Sequence, residues 1–570
     1  PLEWAFKFIL SVIILLTPIS FYYFLRSFDL SKEKSSIVAL CLYALLFMFP
    51  NEHYGGNFHA TFNVGLVANA LALVLLFFYL GALNKCIKTK NYILPSIFFS
   101  LLLLSHIFTA ISGAIAAVVI FIISSIKDKK NINYFIKHFL LSFGLAAFWI
   151  IPFFAKFSYT SAGRIGLLAN IGYYVLEISL VFLIASWVKK RKVSLVASGI
   201  VLAITIFIIV GDWFLALPLH FYRFQLIIYI FLLIAVISWF EKDNYLIYIF
   251  IAAVAFFVIF TVKSFHPEGV LHIDKINLLP ENIDGRVLIV ASYDKQPSPH
   301  IFQHKIPMIN RVHTVRGLYV ESSKNSKYVF DLEKEIDYYK SLVWGVITDD
   351  YLISKNETVV QEILPYQFNL MNINYVVTFY KRSDKWEDIK RISFFTSYDG
   401  TKLERFYYDL YKVSNSSLIE ILNYTPKVIS DENWDYEVAK WSLSENIKNG
   451  VLVNEPVPNL VGTGKEKVAI LEMSPTQEHI KFSVESDKDV PILIKISEFP
   501  NWKAYVNGKE TKIYRASPYI MLIYGKGMIE LKYETTWSDN LGNAISIITI
   551  ILLIYLIIKH GKNNKKIRKY

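Results

Sequence analysis

The chain contains a series of apolar runs, each close to the roughly 20 residues that an α-helix needs to cross a lipid bilayer. Ten such runs, separated by short polar loops, occupy residues 5–25, 36–50, 60–83, 91–105, 108–126, 135–155, 168–188, 193–211, 224–240 and 244–262. An eleventh run, Ala544 to Ile558, lies near the C-terminal end. Helices satisfy all their backbone hydrogen bonds internally, as the interior of a bilayer requires. Residues 1–262 are therefore predicted to form a polytopic transmembrane domain of about ten helices.

The composition excludes several other classes of protein. Hydrophobic residues make up 54% of the 570 residues and charged residues only 19%, which is unlike an ordinary soluble enzyme. Two cysteines, Cys41 and Cys86, are too few for a disulfide framework or a cysteine-based zinc cluster. The net charge of +12 could indicate a nucleic-acid binder, unless the positions of the basic residues have another explanation.

The basic residues are explained by membrane topology, because Lys and Arg near helix ends are retained on the cytoplasmic side. Alternate loops carry clusters of them: Arg26/Lys32/Lys34, Lys85/Lys88/Lys90, Lys127/Lys129/Lys130, Lys189/Lys190/Arg191/Lys192 and Lys242. The intervening loops hold no basic residue, or only Lys156, Arg164 and Arg223. The first set is predicted to be cytoplasmic, and nucleic acid is not needed as a partner.

The same alternation places the N-terminus outside, although no cleavable signal precedes Pro1. We therefore expect the sequence to be a fragment preceded by at least one further spanning helix and an external loop. A processed N-terminus is the alternative.

Residues 263–540 lack a spanning run and are predicted to form an extracytoplasmic domain. Its first part, 263–430, mixes patterns typical of a mixed α/β subdomain. Asp331 to Leu342 has helical periodicity, whereas Arg286 to Ser292 and Tyr375 to Tyr380 are typical of buried strands.

The second part, 431–540, has the alternating pattern of a β-sandwich, with strands expected at Ile480–Glu485, Ile492–Ser497, Trp502–Val506 and Lys509–Ile513. Asn507-Gly508 predicts a tight hairpin, because a type I′ turn needs positive φ at both central residues. A second hairpin is expected around Gly525–Gly527. A C-terminal transmembrane helix (541–559) and a basic cytoplasmic tail (560–570) complete the predicted fold: a multi-pass α-helical bundle, an extracytoplasmic α+β domain ending in a β-sandwich, and a final helix.

Several stretches resemble a known group of polytopic membrane proteins. They are Pro1–Phe8, Gly55–Phe62, Ser105–Ala110, Phe221–Phe224, Ile373–Val377, and Phe499–Glu510 followed by Tyr514–Ala516. The pattern resembles the 6-pyruvoyl-tetrahydropterin synthase-related membrane proteins, whose name does not imply pterin chemistry, and the YfhO-like group. Both look like members of the GT-C superfamily, membrane glycosyltransferases that take a sugar from a polyprenyl-phosphate donor at the outer face.

The resemblance implies a GT-C-like bundle and a catalytic Asp or Glu in the first external loop. Since the start of this chain resembles the second helix of the family, the main carboxylate is expected upstream of Pro1. A divalent metal ion is left open as a cofactor, and no residue pattern predicts a metal site. The implied partners are membrane lipid, a polyprenyl-linked sugar donor, and a glycan, lipid or protein acceptor outside the cell.

The external loops supply candidate site residues, because a lipid-linked donor needs cations beside its phosphate and a carboxylate must activate the acceptor. The candidates are Glu52 and Asp212 for catalysis, Arg223, Arg164, His106 and His59 for the donor phosphate, and His53, Asn57, His220 and Glu177 for the sugar or acceptor.

Each candidate also has a structural interpretation. Arg223 is flanked by aromatic residues and offers bidentate geometry, but it also fits a simple interfacial anchor. His106 fits a helix cap, and the loop from Asn51 to His59 fits an interfacial cap. Glu177 lies inside an apolar run, where an ionisable group usually faces a cavity or a partner; a protonated structural glutamate is the equal alternative.

Three functional classes follow. The first is a glycosyltransferase that uses a lipid-linked donor. The second is a transporter or flippase of lipid-linked sugars, for which paired inverted repeats with broken helices are expected and Pro18 and Pro152 offer kinks. The third is a non-catalytic cell-envelope protein whose outer domain binds a glycan or a protein.

Overall fold

The computed structural model describes residues 2–48, 55–58, 60–64, 66–125, 131–160, 169–215, 219–239, 285–290, 312–315, 323–329, 332, 357–378, 386–397, 403–474 and 478–567. The chain divides into two compact units. The helical unit comprises Pro1–Ala155, Arg164–Pro267 and Trp537–Tyr570, and the sheet-rich unit comprises Lys156–Gly163 and Glu268–Thr536.

The described α-helices are, in chain order, α1 (Leu2–Ser27), α2 (Lys32–Met48), α3 (Val67–Thr89), α4 (Ile93–Ser105), α5 (Ile107–Ser125), α6 (Asn131–Leu145), α7 (Ala147–Ala155), α8 (Ala169–Val188), α9 (Lys192–Ile209), α10 (Gln225–Trp239), α11 (Glu357–Leu370), α12 (Trp434–Ser442) and α13 (Trp537–Ile567). Of these, α11 and α12 belong to the sheet-rich unit. Large apolar side chains from α1, α3, α9 and α10 form the core of the helical unit.

Six described helices are long and apolar enough to cross a membrane, or seven if α6 and α7 form one bent span. The predicted order of a helical region, a sheet-rich region and a C-terminal apolar helix is confirmed. The count of about ten spans before residue 262 stays a prediction, because part of that region lies outside the described residues. Helices α2 and α4 have only 17 and 13 residues. In α8, the described residues include an apolar stretch at Glu177–Val188. The predicted run 244–262 lies outside the described residues.

The loops after α1, α3 and α8 meet at one end of the helical unit, which we call the basic end. Lys88 Nζ lies 2.5 Å from the Asp29 carboxylate, and Lys192 Nζ lies 5.7 Å from the centre of the Phe28 ring. The hydrogen bond from Lys88 lowers the pKa of Asp29, and the charges of Lys192 and Arg26 add to the effect. The cations of this end are thus partly neutralised by a carboxylate.

Helices α6 and α7 meet at a bend of 76° at Ala146. The bend does not lie at Pro152, where a kink was expected, because Pro152 is inside α7. The hydroxyl of Ser546 in α13 accepts a hydrogen bond from the Phe148 N–H at 2.9 Å and donates one to the Gly144 carbonyl at 3.0 Å. The C-terminal helix therefore binds the backbone groups that the bend leaves without helical partners.

The strands of the sheet-rich unit are β1 (Arg286–Ile289), β2 (Ile373–Thr378), β3 (Glu387–Ser397), β4 (Leu403–Lys412), β5 (Ile419–Ile421), β6 (Lys427–Val428), β7 (Leu452–Val453), β8 (Lys467–Met473), β9 (His479–Glu485), β10 (Val490–Ser497), β11 (Trp502–Val506), β12 (Lys509–Thr511), β13 (Tyr514–Ala516), β14 (Ile520–Gly525) and β15 (Gly527–Tyr533). A four-stranded sheet has the order β1-β2-β4-β3, in which β1 and β2 are parallel and the other pairs antiparallel. The helix expected at Asp331–Leu342 falls almost entirely outside the described residues.

Two further sheets pack face to face, with the orders β5-β10-β14-β13-β7-β6 and β12-β11-β15-β9-β8. Their shared core includes Phe482 of β9, Ile492 of β10 and Leu531 of β15. Arg286 ties the first sheet to this pair, since its Nη1 donates to the carbonyl of Lys495 at 2.8 Å. Burial lowers the pKa of Arg286 to about 10.

The hairpin predicted at Asn507-Gly508 is confirmed. Val506 pairs with Lys509, and φ is 50° at Asn507 and 81° at Gly508. The hairpin expected around Gly525–Gly527 is wrong, because β14 and β15 lie in different sheets. The chain crosses there from one sheet to the other. A Cβ at Gly525 would lie only 2.7 Å from the Val506 side chain, so this crossing needs glycine.

Candidate functional site

The end of the helical unit opposite the basic end brings together several predicted site residues. His106 lies between α4 and α5, where its ring Nδ1 is 2.9 Å from the Thr109 hydroxyl and within 3.4 Å of the Thr109 backbone N–H. This contact caps the first turn of α5. The structure therefore agrees with the capping interpretation of His106, whose ring is half-buried.

A short 3₁₀ turn, Phe221–Phe224, precedes α10 and positions Arg223. Phe221 and Phe224 are fully buried, and the two residues between them are only half-buried. The spacing of three residues directs both phenylalanines into the core and leaves Tyr222 and Arg223 at its edge. The aromatic residues thus anchor the turn that presents the arginine.

Phe108 links these two segments. Its ring centre lies 5.5 Å from that of His106, 6.2 Å from that of His220 and 5.7 Å from the Arg223 guanidinium carbon. The Tyr222 ring also stacks on His220, with 5.6 Å between the ring centres, and the Tyr222 hydroxyl lies 3.4 Å from His220 Nδ1. We call His106, Phe108, His220, Tyr222 and Arg223 the arginine cluster.

The Arg223 guanidinium is held by aromatic rings, since Tyr222 lies 5.8 Å from it in addition to Phe108. Among the residues that the structure describes, none accepts a hydrogen bond from its Nε and none forms a salt bridge with it. The positive charge is therefore fixed in place by cation–π contacts without being neutralised by a described carboxylate. Such a group is suited to bind an anion.

Asn57 and Asp212 are two further predicted residues that the structure describes. Asn57 is buried; its Oδ1 accepts from the Ala60 N–H at 3.2 Å and its carbonyl accepts from the Thr61 hydroxyl at 2.7 Å, so that it caps the π-helical turn Ala60–Val64. Gly56 beside it packs against Leu226, in the first turn of α10. Asp212 is buried in the π-helical turn that follows α9, whose Phe207 ring contacts Phe224 at 5.7 Å.

Glu177 is exposed on the surface of α8, and no contact between described residues joins it to the arginine cluster. The remaining predicted residues, Glu52, His53, His59 and Arg164, lie outside the described residues. No group of three His, Cys, Asp or Glu residues that could hold a metal ion occurs within the part of the chain that the structure describes.

A family model for the 6-pyruvoyl-tetrahydropterin synthase-related domain, described as a membrane protein, matches residues 1–164. This segment includes His106 and Phe108 but ends before Arg223. No curated protein and no solved structure matches the chain. Together with the candidate spans, the match identifies a membrane protein that has transmembrane helices and a sheet-rich region.

Sequence reasoning missed one buried polar cluster of the helical unit. The His138 ring in α6 lies 3.0 Å from the Tyr79 hydroxyl through Nε2 and 3.1 Å from the Ser96 hydroxyl through Nδ1. Ser142, one turn after His138, and Ser100, one turn after Ser96, extend the cluster between α6 and α4. The signal was present in the sequence as polar residues four apart in two apolar runs.

Proposed function

We propose that the protein is a membrane glycosyltransferase that transfers a sugar from a polyprenyl-phosphate-linked donor at the outer face of the membrane. The arginine cluster carries this proposal. It combines a guanidinium that no described carboxylate neutralises, two imidazoles and two aromatic rings at the end of a membrane helix bundle. This composition matches the chemistry of a lipid phosphate, whose charge needs a cation and whose chain lies among apolar groups.

The reaction accounts for the use of arginine. When the bond between the sugar and the phosphate breaks, the leaving phosphate gains negative charge. A guanidinium held by Phe108 and Tyr222 is already in place and needs no reorganisation at that moment. His106 and His220 flank the same phenylalanine ring, and their proposed role is to donate hydrogen bonds to further phosphate oxygens. Asp212 is the buried carboxylate of this end of the bundle that we propose to assist the acceptor hydroxyl.

The charge distribution supports the proposed orientation. Arg26, Lys88 and Lys192 lie at the basic end, whereas the arginine cluster lies at the opposite end. Because Lys and Arg favour the cytoplasmic side, the arginine cluster would face outward. A lipid-linked donor and an acceptor outside the cell would then meet at this end.

The test compares Arg223→Lys with wild type in the full-length protein reconstituted in lipid. Lysine keeps the charge but lacks the planar fork that binds two phosphate oxygens and stacks on rings. We expect transfer from polyprenyl-phosphate hexoses to fall at least about tenfold, which corresponds to roughly 1.4 kcal/mol of transition-state stabilisation. Expression and thermal stability should stay near wild type.

The matched control is Arg191→Lys, the same substitution in the loop before α9 at the basic end. It should leave transfer unchanged. Equal activity of Arg223→Lys and wild type would return Arg223 to the role of an interfacial anchor. If the wild-type protein transfers no sugar from a panel of polyprenyl-phosphate hexoses, the proposed function is wrong.

A transporter or flippase of lipid-linked sugars is the second candidate, and the bend between α6 and α7 is the observation that favours it. Transporters commonly use broken helices to build binding sites. Here, however, Ser546 binds the freed groups of Gly144 and Phe148, so these groups are not open to a substrate. Movement of a labelled lipid-linked sugar across the membrane of proteoliposomes without cleavage of the sugar bond would favour this candidate.

A further inference from the structure

The sheet-rich unit contains a cleft of about 180 Å³ where three segments meet. The first segment is α11, which contributes Tyr366 and Asn369. The second is the pair of adjacent strands β5 and β10, which contribute Glu420 and Lys495. The third is the end of α12, which contributes Trp441. The cleft thus lies where the helix that precedes β2 contacts the face-to-face sheets. Ligand sites are often found at such junctions.

Lys495 forms the polar floor of the cleft. Its side chain is only 1% exposed, and its Nζ lies 2.8 Å from Glu420 Oε2 and 2.6 Å from Asn369 Oδ1. On β10 it shares a face with the apolar Leu493, while Ile492 and Ile494 enter the core between the sheets. Burial lowers the pKa of Lys495, and Glu420 opposes that effect.

An ion pair whose lysine is buried needs an explanation beyond stability. Replacing such a pair with apolar residues is often neutral or stabilising. An apolar side chain would continue the apolar face of β10, yet the strand carries a lysine and its neighbour carries Glu420. The floor of the cleft therefore presents an ammonium, a carboxylate and an amide within a few ångströms of one another.

The walls of the cleft are aromatic. Tyr366 is 44% exposed, Tyr424 is half-buried and Trp441 is buried. The main chain at Gly450 lies against the Tyr424 ring so closely that a Cβ would approach it to 2.2 Å. The Tyr424 hydroxyl accepts a hydrogen bond from the Val451 N–H at 3.1 Å, which fixes the orientation of the ring.

We propose that this cleft binds a sugar residue of a glycan. Sugar hydroxyls both donate and accept, so they match a floor that offers a carboxylate, an ammonium and an amide. Each lysine that lines the cleft has a carboxylate partner, Lys495 with Glu420 and Lys448 with Glu362, so the cleft offers no unpaired charge among the described residues to select a simple cation or anion. The apolar faces of a pyranose ring match the aromatic walls. A second hollow of about 320 Å³ shares Trp441 and Gly450 with the cleft and gives room for an adjoining residue of the chain.

The test uses the full chain in detergent micelles on an array of bacterial, archaeal and eukaryotic glycans. We expect the wild type to retain at least one glycan class, and Tyr366→Ala to weaken that binding by at least tenfold. Lys495→Met keeps the length of the side chain and should also weaken binding. Tyr436→Ala, at an exposed tyrosine of α12 outside the cleft, is the matched control and should bind like wild type.

Thermal unfolding of each variant separates lost binding from lost fold. If Lys495→Met does not fold, Tyr366→Ala and Asn369→Ala still test the cleft. Failure of the wild type to retain any glycan would overturn the inference, as would binding by Tyr366→Ala equal to that of Tyr436→Ala. The inference does not rest on the proposed transfer reaction, because binding is measured without a lipid-linked donor.

Discussion

The helical unit and the sheet-rich unit bury polar side chains in different ways. In the helical unit, His138 is fully buried between Tyr79 and Ser96, and all three groups can remain neutral. In the sheet-rich unit, Lys495 is equally buried but faces Glu420, whose side chain is 36% exposed. The interior of a bilayer offers no solvation to an ion, whereas a buried ion is tolerated elsewhere when its partner reaches water.

This difference predicts how each unit responds to the loss of one partner. Removing one member of a neutral pair leaves a hydrogen bond unmade. Removing one member of a charged pair leaves a buried ion, which costs more. The two clusters therefore allow the comparison to be tested within a single chain.

The largest effect is expected for Glu420→Ala, because it leaves the Lys495 ammonium with only the Asn369 amide as a described partner. We expect the free energy of local opening of β10 to fall by about 3 kcal/mol. Hydrogen exchange of β10 amides in the full chain, followed by mass spectrometry, measures this quantity.

Two variants control that experiment. Glu455→Ala removes the partner of Lys512 from an exposed ion pair and should cost less than about 1 kcal/mol. Adding Lys495→Met to Glu420→Ala should recover most of the loss, because no unpaired charge remains. If Glu420→Ala and Glu455→Ala lower the free energy of opening equally, the pair of Lys495 and Glu420 behaves like a surface ion pair. The proposed difference between the two units would then be wrong for the sheet-rich unit.

A smaller effect is expected for His138→Phe in the helical unit. The substitution keeps an aromatic ring but loses the bonds to Tyr79 and Ser96. Hydrogen bonds between membrane helices contribute roughly 0.6 kcal/mol each, so we expect a loss of about 1 kcal/mol. Unfolding of the full chain in mixed micelles of increasing denaturing detergent measures this loss.

A double-mutant cycle with Tyr79→Phe isolates the bond between His138 and Tyr79. The coupling free energy should be about 0.6 kcal/mol and below roughly 2 kcal/mol. A coupling as large as the cost of Glu420→Ala would contradict the view that this cluster is neutral.

The smallest effect is expected at a half-buried charged cluster on the sheet that contains β9 and β15. Glu530 Oε1 lies 2.8 Å from His479 Nε2, and Lys532 Nζ lies 3.0 Å from the same carboxylate. These hydrogen bonds, first that of His479, lower the pKa of Glu530 below 4.5. A carboxylate with a lowered folded pKa adds stability above its unfolded pKa and loses it as the pH falls through the folded value.

We therefore expect Glu530→Gln to lower the free energy of opening of β15 by less than about 1 kcal/mol at pH 7. The difference from wild type should disappear as the pH falls through the lowered folded pKa of Glu530, because both side chains are neutral below it. Hydrogen exchange at several pH values, corrected for the intrinsic exchange rate, measures it. A difference that does not depend on pH would show that the carboxylate charge is not its cause.

The sequence by itself determined the elements whose signals are local. Long apolar runs predicted membrane helices, alternation predicted β9, β10 and β11, and Asn507-Gly508 predicted the hairpin between β11 and β12. Length, period and turn chemistry act within a few residues, so they can be read from the chain alone. The aromatic flanks of Arg223 likewise indicated an arginine at the edge of the apolar region.

Only the tertiary structure decided which of these elements meet. Gly525–Gly527 has the composition of a hairpin but joins two sheets, because the partners of β14 and β15 come from distant segments. Phe108 contacts both His106 and Arg223, which are more than a hundred residues apart in the sequence. Lys495 contacts Glu420 and Asn369, which lie on two other elements. Packing between distant segments depends on the shape and burial of whole faces, which no local pattern of residues encodes.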